Sequence, residues 1–494
     1  MNISVTLTPK TSLEKALKKV GIEDPATITQ MTIAGTITHL DLWDICKNMR
    51  ENLQELDLSC ASFHNNEILY GAFGGSLISV TIPDSITEIH RYTFGCKNLT
   101  TIKVNSENPV FASIDGVLFS KDKTELIKYP EGRQGDYVIP DSVTKINEAA
   151  FSRHQFSENI GLTSVTIPDS VEEIGYEAFF GCRGLTSITI PASVVEIGAR
   201  AFLHCSGLTS IVIPDSITEI REMTFYCCSG LTSIIIPDSV TKIEDCAFNA
   251  CSGLTTIVIP DSVTEIGGGA FLHCGNLTSV IIPYSVKKID RSTFAYCGSL
   301  KSVVIPDSVT EIEFWAFRYC TALTSITIPK SVTKIEQEFW GVFFGCTATI
   351  TVHPDNPVFS SENGVLFNKD KTELIAHPNM RQGDYHIPDS VTKIGNYAFS
   401  GCGDLNSIII PDTVVKIGQH AFFDCYELTS VNIPESVTEI GKDAFNHCKN
   451  LVEIYIPQSV TKIGEDAFWY YRLNIMVHPE NPVYKVVDGK IEMK

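Results

Sequence analysis

Sixteen cysteines and twelve histidines are the residues of this 494-residue chain with the widest chemical reach. Disulfides, thiolate nucleophiles and metal sites all draw on them, so their spacing comes first. Twelve of the cysteines, at 96, 182, 205, 228, 251, 274, 297, 320, 346, 402, 425 and 448, occupy one slot of a recurring unit. On successive parallel strands, side chains in one slot stand about 4.8 Å apart and point the same way. A disulfide needs Cβ atoms about 3.8 Å apart with their vectors turned together. The spacing therefore predicts a ladder of small buried thiols, since a free cysteine behaves as a small hydrophobe. Cys227, next to the ladder's Cys228, and Cys246 fall outside the slot. They read as substitutions within the repeat rather than as a redox or metal centre.

His204, His273 and His447 each precede a ladder cysteine. The first two lie three repeats apart, about 15 Å at strand spacing, too far to share a metal ion. Gly267-Gly268-Gly269 sits at the glycine slot of the repeat and reads as a turn, not a phosphate cradle. The chain contains no HExxH, no Walker A motif, no GxSxG and no CxxC. Nor is a pair of carboxylates on one face evident, as glycan hydrolysis would need. The expectation is a protein that is not an enzyme, with no catalytic residue, cofactor or metal. Arg133-Gln134-Gly135-Asp136 and its copy Arg381-Gln382-Gly383-Asp384 approach an integrin-type RGD, but the glutamine breaks it, and both read as turns. Sequons stand at Asn2, Asn98 and Asn276.

The elements that position these residues are set by a 23-residue period. Prolines recur at 168, 191, 214, 237, 260, 283, 306 and 329, and again at 388, 411, 434 and 457. A fixed period of this size is the mark of stacked repeats. Counted from its proline, the unit reads P-D-S-V-T-x-I-G-x-x-A-F-x-x-C-x-x-L-T-S-I-x-I. Its end alternates, so Ile211 and Ile213 face one side while Ser210 and Val212 face the other. That predicts a short strand, ended by a proline that lacks the next ladder N–H, with Leu208 turning into the core ahead of it. Asp and Ser after the proline are turn formers that bond the local backbone. The G-x-x-A-F-x-x-C piece returns as a single helical or 3₁₀ turn, and its Phe, as at 179, 202, 225, 248 and 271, fills the core. Strands one repeat apart make a parallel sheet, and the long face so formed is an interaction surface rather than a cleft.

Residues 1–76 read as an N-terminal cap with degenerate repeats. Thr11-Ser12-Leu13-Glu14 matches a capping box, a second helix spans Leu42, Ile45, Cys46 and Met49, and Met31, Ile33, Leu53, Leu56 and Leu58 mark two atypical repeats. The solenoid proper runs over 77–476, with insertions at about 104–137 and 352–385. Residues 108–137 and 356–385 align without a gap at an offset of 248. Asp115-Gly116 and Asn363-Gly364 predict a β-hairpin in each. A truncated third copy, NPVYKVVDGKI from Asn481, serves as a C-terminal cap over 477–494.

The repeat resembles the BspA-type leucine-rich repeat, with its IPxSVTxIGxxAFxxCxxLTSI core, and the inserts are similar to the family's NPxF…DGVLF…KTxLIxYP island. The resemblance covers about Leu77 to the C-terminus, and LQELDLSCA resembles the family's opening rung. It implies a right-handed superhelix with its parallel sheet on the concave face and short helical or 3₁₀ turns on the convex side. It also implies a surface-exposed or secreted protein of host-associated microbes that binds extracellular matrix proteins.

Charge is consistent with protein partners. Acidic residues number 58 against 38 basic ones, a net charge of −20, which argues against nucleic acid or an anionic membrane as partner. No apolar run reaches the ~18 residues of a membrane span. The first twenty residues lack the apolar core of a signal peptide. The chain is therefore either a mature one whose export signal is not present, at the cell surface or secreted, or a cytoplasmic one. The outward position two residues before each proline holds Thr166, Thr189, Val212, Ile235, Val258, Ile281, Val304 and Thr327. Val212, Ile235, Val258, Ile281 and Val304 are the candidate protein-binding strip, since apolar side chains recur where Thr would suffice; β-branched residues also simply suit strands. Aromatics around the cysteine turn, among them Tyr226, Tyr296, Trp315, Tyr319, Phe423 and Trp469, form a second candidate surface. An adhesin-like binding protein is the first reading, and an intracellular or structural scaffold the alternative.

Overall fold

A computed structural model of the chain describes residues 1–8, 11–63, 65–153, 161–336, 341–379, 383–469 and 473–494. The repeat coils into a parallel β-solenoid of about 19 turns with little helix, in two compact units, Met1–Val240 and Thr241–Lys494. Each slot of the 23-residue period has a structural duty that reaches into a neighbouring rung. The strand slot alternates as its sequence requires: in Ser210–Val212 only Ile211 is buried. It pairs in parallel and in register with Ser187–Thr189.

Each rung also carries a second strand, two residues long, that the pattern did not reveal. Lys145–Ile146, Glu173–Ile174 and Glu196–Ile197 pair in parallel in the first unit. Lys393–Ile394, Lys416–Ile417, Glu439–Ile440 and Lys462–Ile463 do so in the second. The isoleucine goes inward and the charged residue outward, so charges meet between rungs, unlike ones at Lys145–Glu173, Lys416–Glu439 and Glu439–Lys462 and like ones at Glu173–Glu196 and Lys393–Lys416. Lys145 lies 2.8 Å from Glu173, and Lys416 and Lys462 lie 3.1 and 2.8 Å from Glu439. Such exposed pairs contribute about 0.2–1 kcal/mol each.

In several rungs the serine two residues after the proline bonds across rungs rather than locally. Ser193 Oγ donates to Val171 O at 2.7 Å, and Ser436 Oγ to Val414 O at 2.7 Å. The turn itself is closed by backbone, as where Val194 N donates to Pro191 O. The expected helical or 3₁₀ turn takes the form of two successive β-turns, closed by Ala201 N to Gly198 O and Cys205 N to Phe202 O. Arg200 and His204 within them take positive φ, 60° and 62°. That reversal turns alternate N–H groups toward the next rung, where Arg200 N, Phe202 N and His204 N meet Glu222 O, Thr224 O and Tyr226 O at 2.8–2.9 Å. A helix would keep those donors inside its own rung, leaving the rungs without this seam.

Inside the turns the phenylalanines stack. Phe151, Phe179, Phe202 and Phe225 follow at centroid spacings of 4.9, 5.3 and 5.6 Å. Phe248, Phe271, Phe294 and Phe317 follow at 5.5, 5.6 and 5.8 Å in the second unit. The inserts continue the column, with Tyr129 on Phe151 and His377 on Phe399. Beside it runs the thiol ladder. All sixteen cysteines are free and the twelve in the slot are buried. In most of them Sγ donates to the carbonyl of the Phe one rung earlier, as from Cys205 to Phe179 O and Cys228 to Phe202 O at 3.1 Å. A thiol is thus a small hydrophobe and a weak donor in one.

Burial pushes the Cys182 and Cys274 thiols up to about 12. Because the folded value lies above the unfolded one, near 9, the stabilisation they give is complete below pH 9 and is lost as pH rises from there toward 12. We expect the melting temperature to fall steeply above pH 9. At neutral pH a thiol-reactive reagent should modify Cys60 first, then the half-buried Cys227 and Cys246, and the other thirteen only after denaturation.

In the N-terminal region, β1 (Asn2–Leu7), β2 (Gln30–Ile37) and β3 (Glu55–Phe63) pair in parallel, so the first residues already form a rung. Helix α1 (Leu13–Lys19) does not use the expected capping box: its N-cap is Ser12, without a side-chain bond. Thr11 is bridged to Thr8, hydroxyl to hydroxyl at 2.9 Å, and Glu14 pairs with Lys18 instead. The box occurs at α2 (His39–Asn48), between Thr38 and Asp41.

Each insert contains the expected hairpin, turning at Asp115-Gly116 and Asn363-Gly364 with positive φ at both residues. A third strand, Glu125–Lys128 or Glu373–Ala376, then joins the two-residue strands of the next rungs. A fully buried asparagine fastens each hairpin. Asn108 Nδ2 donates to Pro83 O and Ile86 O at 2.7 and 2.9 Å, while its Oδ1 accepts from Val110 N and Phe111 N. Asn356 and Asn481 repeat the arrangement. Lys121, Lys369 and Lys494 each donate to the carbonyl of that asparagine at 2.5–2.7 Å.

Candidate functional site

Two surfaces carry exposed or unsaturated chemistry: an apolar column on the first-strand face and a polar cleft beside the first insert. The column exists because a strand between two solvent-facing positions must show every second side chain. Val212, Ile235, Val258, Ile281 and Val304 are 57–78 % exposed. In the first unit Val212 and Ile235 are bridged in parallel. In the second, Ile281 pairs with Val304, and the Thr256–Ser279 bridge brings Val258 beside Ile281. Serines two positions earlier border the column on one side, as at Ser210, Ser279 and Ser302. Exposed acids one residue past the proline border it on the other, as at Asp215, Asp238, Asp261 and Asp307. The surface is thus apolar along its centre, with acid on one flank.

The aromatic surface around the cysteine turn is largely self-satisfied. Tyr296 stacks between His273 and Tyr319 at 4.5 and 4.9 Å, and Arg318 lies over Tyr296, Trp315, Tyr319 and Phe344. Phe423 packs on His447, which reaches Asp424 at 3.0 Å and Trp469 at a ring spacing of 6.2 Å. His204 lies between Phe180 and Tyr226. His204, His273 and His447 thus each pack against aromatic rings.

Gly267 packs so closely that a Cβ there would stand 2.6 Å from Asp245 N. Its slot therefore serves rung contact. Asp136 accepts from Thr163 and Ser164 hydroxyls at 2.9 and 2.8 Å, at the start of the strand Gly135–Val138. In the copy, Arg381 and Gln382 lie outside the described residues, and Asp384 accepts from Ser407.

The cleft contradicts the expectation of a surface without one. The ladder of two-residue strands breaks between Glu88–Ile89 and Glu125–Lys128, which belong to different sheets, and the break opens a groove of about 630 Å³. Arg91 crosses it to Glu148 and lies over both Tyr92 and Tyr176 at 5.7 Å. Tyr92 donates its hydroxyl to the buried Glu177, whose carboxyl is raised above its ordinary range by burial, against the pull of Arg200 and Arg91. At one side His90 Nε2 stands 3.3 and 3.5 Å from Glu67 and Glu88. Among the described residues these three form the one group of potential metal ligands, with ligand atoms within 4.8 Å of one another.

A second arm of about 370 Å³ shares Tyr92, Phe94 and Lys128 with the groove. Lys128 is buried there, and desolvation lowers its ammonium to about 8. This cleft draws on residues from 70 to 221, so no local motif marks it. The one sequence signal lies in the aligned inserts, which differ where it is built.

The family model described as BspA type leucine rich repeat region (6 copies) matches residues 48–155, 152–275, 218–349, 264–382 and 376–485. Among solved structures the chain is similar to a leucine rich cell surface protein of Faecalibacterium prausnitzii, at 30% identity over 76% of this chain and 96% of that one, with a TM-score of 0.44. A leucine-rich repeat protein of Bacteroides ovatus is similar at 27% identity, 72% and 89% coverage and a TM-score of 0.46. The pneumococcal vaccine antigen PcpA is similar at 20% identity, 75% and 80% coverage and a TM-score of 0.42. No curated protein of known function matches.

Proposed function

The chain belongs to the BspA-type leucine-rich repeat family, and from that premise we propose that it is a non-enzymatic, adhesin-like binding protein that engages other proteins through its first-strand face. The observation that carries the reading is the exposure of Val212 and Ile235 in the first unit and of Val258, Ile281 and Val304 in the second. Five β-branched apolar side chains stand in water where the neighbouring rungs manage with Thr166, Thr189 and Thr327. Exposed apolar runs framed by polar residues characterise interaction surfaces.

The acidic flank and the net charge of −20 favour a partner that presents apolar residues beside lysines or arginines, with the charges steering approach. Location at the cell surface or outside it, and matrix proteins of a host as partners, belong to the same reading and follow from the family resemblance. The test is binding of the purified chain to immobilised matrix proteins and to whole cells at two salt concentrations. Saturable binding that weakens as salt rises is expected. Absence of binding to every surface would favour an intracellular scaffold instead.

A further inference from the structure

The short strands Glu67–Ile68 and Glu88–Ile89 pair in parallel as a sheet of two, and their register sets Glu67 directly opposite Glu88. Like charges facing each other across a strand pair are destabilising. Where such pairs recur among the two-residue strands, each member has an ion partner of opposite sign. Glu173 has Lys145 and Glu196 has Arg221, at 2.8 and 2.5 Å; Lys393 has Glu373 and Lys416 has Glu439, at 2.7 and 3.1 Å. Among the described residues Glu67 and Glu88 have no lysine or arginine partner. What faces both is His90, at the slot that holds Gly175, Gly198 and Gly267 in other rungs.

The three side chains present one donor atom each to the same small space. His90 Nε2 lies 3.3 Å from Glu67 Oε2 and 3.5 Å from Glu88 Oε1, and all three atoms lie within 4.8 Å of one another. These separations are long for hydrogen bonds, and one Nε2 proton cannot point at two carboxylates. They match the corner-to-corner distance of a tetrahedral zinc site, about 3.3–3.5 Å for bonds of about 2.0–2.1 Å. The backbone under the site is fixed across the rungs, with Glu88 N donating to Asn66 O at 3.2 Å and His90 N to Ile68 O at 3.0 Å. Asn65 Nδ2 donates to Glu67 Oε1 at 3.2 Å and leaves Oε2 to His90, the outer-shell hold that metal-ligating carboxylates commonly have. The Glu88 side chain is 65 % exposed, so it is free to close the third edge, with one corner left to water.

We propose that Glu67, Glu88 and His90 bind one zinc ion, which ties two successive rungs together beside the groove. An imidazole with two carboxylates suits zinc better than calcium or magnesium, which take oxygen ligands. The ion cancels the repulsion of the facing carboxylates. One ligand comes from the first rung and two from the next, so the site exists only when the rungs are stacked, and binding stabilises the fold. His204, His273 and His447, whose placing argued against a shared metal, belong to the cysteine turn. His90 stands beside the second strand, and Glu67 reaches it only through rung stacking.

The experiment is calorimetric titration of the full, metal-stripped chain with zinc, calcium and magnesium chlorides, with thermal melting followed in parallel. It is repeated on His90→Gly, which restores the residue of other rungs, and on Glu88→Lys, which turns the like pair into an attractive one. Zinc should saturate one tightest site in the parent and raise its melting temperature. Both variants should bind zinc at least about tenfold more weakly at that site, since even outer-shell changes cost metal sites that much. Glu88→Lys should melt no lower than the metal-free parent, so that its loss of zinc is not a loss of fold. Failure of zinc to saturate the parent, or equal zinc affinity in the parent and both variants, as thiols elsewhere in the chain would give, overturns the site. Calcium or magnesium binding as tightly as zinc overturns the assignment of the metal.

Discussion

Replacing Asn356 by aspartate should remove about 3–5 kcal/mol of stability from the second unit, the range for leaving a buried polar group facing the wrong partner. Asn356 is wholly buried. Its amide nitrogen holds Pro329 O and Val332 O at 2.8 Å, and its oxygen takes Val358 N and Phe359 N at 2.9 and 2.7 Å. Aspartate has the same shape and keeps the two accepting bonds, but it sets an oxygen against two carbonyl oxygens. The residue either carries an uncompensated charge or takes up a proton that satisfies only one of them. Because the clamp joins the hairpin to the preceding proline turn, the loss should appear as early unfolding in urea. Asn432→Asp, on an exposed strand position, is the control and should change stability by no more than about 0.5 kcal/mol. Equal effects at both positions would show that the clamp contributes nothing particular.

Phe271→Ala should cost about 3–5 kcal/mol, the range for deleting a buried aromatic and leaving its cavity. The ring is completely buried and stacks on Phe248 and Phe294 at 5.5 and 5.6 Å. Neighbouring rungs hold the backbone by their own cross-rung bonds, so collapse into the void is limited. Phe271→Leu keeps most of the volume and should cost about 1.5 kcal/mol or less. In a repeat protein stability is a sum of rung and interface terms. Urea titration followed by circular dichroism should therefore show a transition split for the alanine variant and a single shifted one for leucine. A shift of the same size for both would mean that the column is held by backbone alone.

How far the fold was legible depends on the range over which each signal acts. The Phe, Cys and Ile slots are read directly, because a 23-residue period places equivalent residues above one another. The hairpins are equally direct, since Asp115-Gly116 and Asn363-Gly364 are local turn chemistry. The second strands are not, because two residues such as Glu173–Ile174 are too short to alternate. The serine bonds look local in sequence, yet Ser193 reaches Val171 in the preceding rung. At Thr11 the capping motif is present, but an earlier contact with Thr8 takes the hydroxyl.

The candidate sites divide in the same way. Outward exposure of Val212 and its equivalents follows from strand alternation alone. The cleft depends on where an insert breaks one ladder and on side chains drawn from several rungs. Only the contrast of Lys128, Glu131 and Arg153 with Ala376, Asn379 and Gly401 hints at it.

The measurement that bears most directly on the proposed function compares the parent with the triple variant Ile235→Glu, Val258→Glu and Ile281→Glu in binding to the matrix protein or cell surface that the parent captures. All three side chains are exposed, so folding should be unchanged by circular dichroism and melting. Saturable binding by the parent, lost at least tenfold in the folded variant, is the result expected of a partner that docks on this face. Equal binding by the two proteins would contradict the account and move the interface away from the strand column.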